Sequence, residues 1–137
     1  MLDWLFKTNP KKTIATKAVR RAKKLLRSRH APSLDAKVDY VWWYGAVEID
    51  PKHCVVWIMV SGSDSERIPA MLNPILDEKL LRRARETLTT EDSKWLEELA
   101  AVVEGEFRAC GWEWQTPRIG VESVERVKKG GGFDYFR

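Results

Sequence analysis

The chain of 137 residues suits one domain and is long enough to bury a core without disulfide or metal staples. Its 44% apolar and 32% charged residues exclude a disordered or fibrous class. The net charge of +4 hides an asymmetry: residues 1–34 carry ten Lys/Arg and one acid, while residues 35–137 carry 14 Lys/Arg and 19 acids.

The charge pattern therefore divides the chain into a basic N-terminal helical segment, 1–34, and an acidic single α+β domain, 35–137. An acidic partner for the first part, or its docking on the second, is expected. Cys54 and Cys110 are far apart with no framework spacing and read as small buried hydrophobes. The start Met1–Phe6 contains Asp3 and is too short for a signal peptide. The longest apolar run, Cys54–Val60, is far below membrane-spanning length. A cytoplasmic location is the expectation.

Residues 11–30 predict a helix, with Ile14, Ala18, Ala22 and Leu25 or Leu26 forming one narrow apolar stripe. Lysines and arginines fill the remainder and no acid interrupts them. Pro32 is expected to close this helix, and its like charges at i,i+4 make it weak in isolation. Asp39–Ile49 and Cys54–Ser61 are rich in Val, Ile, Trp and Tyr, which predicts two strands. Asp50-Pro51-Lys52-His53 between them has type I turn chemistry.

If Ile49 faces Cys54, then Val41, Trp43, Gly45, Val47 and Ile49 share a face with Cys54, Val56, Ile58 and Val60. The other face then carries Trp42, Tyr44, Ala46 and Glu48 with Val55, Trp57 and Met59. Neither face is polar, so both are covered or one of them binds something.

Asn73-Pro74 resembles an N-cap and N1 pair, and Leu76, Leu80, Ala84 and Leu88 keep helical spacing behind it. A further helix is predicted from Thr89-Thr90 to Cys110, with acids in its first turn and Gly111 at the C-terminal cap position. Arg118–Ser123 reads as a short strand and Val124–Lys129 as a helical turn. Gly130-Gly131-Gly132 is a break, and the three aromatics in residues 133–137 read as a docking tail. The fold class is α+β: a small, mostly antiparallel sheet on a central Trp-rich hairpin, packed with two or three helices in the order α-β-β-α-α-β, with or without one more strand at the end.

Two surfaces are candidates for function. Lys17, Arg20, Arg21, Lys24 and Arg27 on the basic helix suit phosphate binding, because much of that affinity comes from counterion release. The same helix behind Trp4-Leu5-Phe6 also suits peripheral contact with an anionic membrane. Trp42, Tyr44, Glu48 and Trp57 form an aromatic face of the kind that dominates protein contacts. Glu122 and Glu125 flank Ser123, but carboxylates are mostly solvated or ion-paired. With two Cys and two His, no metal spacing arises. No catalytic residue and no cofactor is predicted, and an enzyme is not the expectation.

At Trp42-Trp43-Tyr44-Gly45, Glu122-Ser123, Glu125, Gly131-Gly132-Phe133 and Tyr135-Phe136-Arg137 the chain resembles small uncharacterised bacterial α/β proteins. Some of these are grouped with the immunity proteins of polymorphic toxin systems. The resemblance implies a non-enzymatic binding protein, an immunity-type inhibitor that occludes a protein partner. The alternative is a nucleic-acid-associated protein that uses the basic helix, residues 11–29.

Overall fold

A computed structural model describes residues 10–72, 79, 82, 86–132 and 136. Helix α1 spans Pro10–Leu26 and buries Ala15, Ala18, Val19, Ala22 and Leu26. These positions recur every three or four residues and so fall on one side of the helix. The helix stops short of the expected residue 30. Ser28 takes φ 62, and the chain then pairs with the next strand through Ser28 N–H to Val38 O and Val38 N–H to Arg29 O. That pairing, rather than Pro32, ends the helix.

Strand β1 is Lys37–Tyr44 and β2 is Val55–Ser61. They pair antiparallel, with Tyr44 opposite Val55 and Trp42 opposite Trp57, and with an irregularity between Val38 and Tyr40. The predicted strand to Ile49 is thus too long, and Ile49 does not face Cys54; it is 77% exposed. Gly45 breaks the strand at φ +128, where its backbone comes so close to the His53 carbonyl that a Cβ would lie 1.9 Å from that oxygen. Residues 47–49 then form a turn. Asp50 accepts the Lys52 N–H and starts the short 3-10 turn Pro51–His53. The pairing differs from the expected one by an even offset, so the side chains from Val41 to Tyr44 and from Val55 to Val60 keep their predicted faces.

A second 3-10 turn, Ser65–Arg67, leads towards β3, Met71–Leu72. The expected helix start at Asn73-Pro74, with Leu76, Leu80 and Ala84, lies outside the described residues. Helix α2, Thr90–Ala109, begins where predicted, with Thr89 as its cap accepting the Asp92 N–H. It ends as predicted too. Gly111 has φ +99, its N–H reaches Arg108 O, and the Trp112 N–H reaches Phe107 O. These two bonds are a Schellman cap, and the Phe107 and Trp112 rings close it edge-on at 5.2 Å.

Strand β4, Arg118–Ser123, runs parallel to β2 and antiparallel to β3. The sheet order is β1-β2-β4-β3, so the fold is α+β with a mostly antiparallel, mixed sheet. Helix α3, Val124–Lys129, follows directly with Ser123 as its cap. The hairpin strand that lies inside the sheet is β2; β1 is an edge.

One sheet face, carrying Val41, Val56, Ile58, Val60, Ile119 and Val121, packs with α1 and α2 into the main core. Ala15, Ala18, Val19, Ala22 and Leu26 belong to that same core. The basic helix therefore shares a hydrophobic core with the sheet. The other face, Val55, Trp57 and Met59, is covered by Val124 and Val127 of α3 and by Phe136.

Candidate nucleic-acid interface

Because α1 spends its apolar side on the core, its charged side points outward. Lys17, Arg20 and Lys24 follow each other at three and four residues, opposite the buried alanines, and Arg27 continues the line just past the helix. All four are exposed. No carboxylate among the described residues pairs with them. The line is about 15 Å long at the helical rise. Arg21, the fifth predicted residue, differs: its Nε donates to Glu106 of α2 at 2.7 Å. It ties the two helices together instead of facing outward alone. Lys11 lies over the Trp114 ring at 5.3 Å.

The aromatic surface is more closed than the sequence suggests. Trp57 is only 8% exposed and packs against Phe136 at 5.4 Å. Trp42 is half-buried, in ring contact with Tyr44 at 5.2 Å and with Phe136 at 5.0 Å. Tyr44 is exposed. Glu48 is also exposed but sits in the 47–49 turn, off the strand and off this face, because Gly45 ends β1 before it. The structure thus brings Trp42, Tyr44 and Trp57 together and separates Glu48 from them.

Between β1 and α3 an open groove of about 160 Å³ remains, lined by Tyr40, Trp42, Val124, Val127, Lys128 and Phe136. Tyr40 and Lys128 are additions to the predicted surface. Tyr40 was legible in principle, since it continues the alternation of Trp42 and Tyr44. Lys128 was not, because only the fold of α3 over the sheet brings it there.

The carboxylates around Ser123 are engaged internally. Glu122 is 1% exposed, accepts from Arg126 Nη1 at 2.6 Å and from the Ser123 N–H at 2.8 Å. Arg126 also donates to the Glu66 and Ile68 carbonyls. Glu125 accepts from the Ser65 hydroxyl at 2.6 Å and the Gly62 N–H at 3.3 Å, and the Ser65 and Ser123 hydroxyls are 2.8 Å apart. This network fastens the 62–68 loop to the β4–α3 junction. Cys54 is buried, which pushes its thiol up to about 12, so no thiolate forms near neutral pH.

Among the described residues no cluster of His, Cys, Asp or Glu could hold a metal ion, and no helix is long and apolar enough to cross a membrane. No known protein family, curated protein or solved structure matches the chain.

Proposed function

We propose that this is a non-enzymatic, nucleic-acid-associated protein that lays the outer side of α1 along a phosphate backbone. The observation that carries the reading is the line Lys17, Arg20, Lys24 and Arg27, with no carboxylate partner among the described residues, on a helix anchored by its buried side. Cations with no competing carboxylate release counterions from a polyphosphate when they dock. A membrane role by insertion is disfavoured, since the apolar side of α1 is already used by the core and only its charged side is available.

The test is binding of a labelled oligonucleotide, single-stranded and in duplex, to the full chain over a range of salt. Four phosphate contacts give a slope of log affinity against log salt of about −3.6 on duplex and about −2.8 on single strand. The quadruple variant Lys17→Gln, Arg20→Gln, Lys24→Gln, Arg27→Gln is expected to bring the duplex slope close to zero. An unchanged slope in that variant sinks the proposal. Substitution is the right tool here, because deleting residues 1–34 also removes core residues of α1.

A second reading is an inhibitor of the immunity type that occludes a protein partner. It draws on Tyr44 and Tyr40, both exposed on the edge strand β1. That reading expects a stoichiometric protein complex that survives the quadruple substitution and is lost with Tyr44→Ala.

A further inference from the structure

We propose that the groove between β1 and α3 takes one unstacked base of a single-stranded nucleic acid, with the adjoining phosphate on Lys128. The inference rests on the nucleic-acid reading above and deepens it by naming the form of the ligand. Tyr40 and Trp42 are alternate residues of β1 on the same sheet face, so their side chains start about 7 Å apart. That interval is close to what one planar ring needs between two others.

Trp42 already contacts Tyr44 and Phe136. Tyr40 is in no such ring contact among the described residues and is 37% exposed, so part of its ring is open to a stacking partner. The groove's volume of about 160 Å³ is below the ~300–1,000 Å³ of sites for whole small molecules and cofactors. It suits a single ring system.

The charge at the rim selects among flat ligands. Lys128 lines the groove and is exposed. Among the described residues it has no ion-pair partner, and the lining contains no carboxylate. A base followed by its phosphate matches an aromatic slot beside the Lys128 ammonium. Duplex bases are stacked on their own neighbours and cannot enter, so the groove selects single strands. Base stacking on an aromatic side chain is sequence-tolerant, and each such contact is read by alanine substitution.

The experiment compares a short labelled oligothymidine, the same strand in duplex, and an abasic oligomer of equal length, all at one salt concentration. Tyr40→Ala is expected to weaken oligothymidine binding roughly 5- to 150-fold and to leave duplex binding unchanged. Tyr40→Phe retains the ring and is expected to bind as the parent does, which separates stacking from a loss of folding. Lys128→Gln is expected to lower the single-strand salt slope by about 0.7. The parent is expected to prefer oligothymidine over the abasic strand, and Tyr40→Ala to lose that preference. Equal binding of the abasic and thymidine strands by the parent overturns the proposal, as does a Tyr40→Ala variant that binds oligothymidine like the parent. Failure of the α1 reading looks different: the quadruple variant then retains the full salt slope.

Discussion

Glu125 shows how one carboxylate can hold a loop in place without serving a reaction. Burial acts to raise its pKa, but hydrogen bonds from Ser65, its own backbone amide, Gly62 and Ser123 together outweigh that and hold it below the ordinary Glu value. A folded-state value below the unfolded one means the ionised form is the stabilising one. That stabilisation is complete above the unfolded value near 4.5 and fades as the pH falls through the folded value. Glu125→Ala is therefore expected to cost about 2 kcal/mol at neutral pH, the range for hydrogen bonds to a charged group. The difference from the parent should shrink near pH 3. Urea unfolding of both proteins at the two pH values measures it, and an equal gap at both would show that the charge contributes nothing. Glu122, three residues earlier in β4, has a different role: it is the buried partner of Arg126. Losing that guanidinium would strand a charge in the interior.

At the level of the elements, two glycines of opposite character test why the hairpin and α2 end or continue as they do. Gly45 has φ +128 and no room for a Cβ beside the His53 carbonyl. Gly105 lies in the middle of α2, is exposed, and has nothing within 4 Å of where a Cβ would be. Gly45→Ala is expected to destabilise by more than about 1 kcal/mol, since both the backbone angle and the space are wrong for alanine. Gly105→Ala is expected to stabilise by about 0.5–1 kcal/mol, because alanine loses less backbone freedom in a helix. Thermal unfolding of both variants checks the pair, and a neutral Gly45→Ala would mean that the loop relaxes freely. The same glycine marks the border of what could be read from the sequence. The ends of α2 were legible because capping is local chemistry: Thr89, Asp92 and Gly111 carry it within a few residues. The end of β1 was not, because Val47 and Ile49 continue the strand alternation while the reason for stopping lies across the hairpin at His53. Faces survived that error because the offset was even. Glu48 did not keep its place, since membership of the sheet, and not only parity, decides where a side chain goes.

For the molecule as a whole, the charge division between residues 1–34 and 35–137 was legible, yet the way the two parts join was not. Charge patterning suggests docking by attraction, and one such contact exists, Arg21 to Glu106. The larger join is apolar: five buried residues of α1 enter the core shared with the sheet and α2. This arrangement has an energetic consequence. The helix is anchored by its apolar side, while Lys17, Arg20, Lys24 and Arg27 repel each other on the other. Repulsion between exposed charges at this spacing is nearly unscreened at about 0.01 M salt, where the Debye length is about 30 Å, and is partly screened near 0.1 M, where it is about 10 Å. Exposed ion pairs such as Lys129 with Glu66 weaken over the same range, but each is worth only about 0–1 kcal/mol, and they are common to parent and variant. The informative quantity is therefore a difference. The quadruple glutamine variant is expected to be the more stable protein at low salt, and its advantage over the parent is expected to shrink as salt rises to about 0.2 M. Melting curves of the two proteins at low and moderate salt measure this directly. A gap that stays constant with salt would mean that the outer side of α1 carries no appreciable self-repulsion. In that case the line of cations would also be too weak a field to gather a polyanion, so stability and binding test the same property of one helix side.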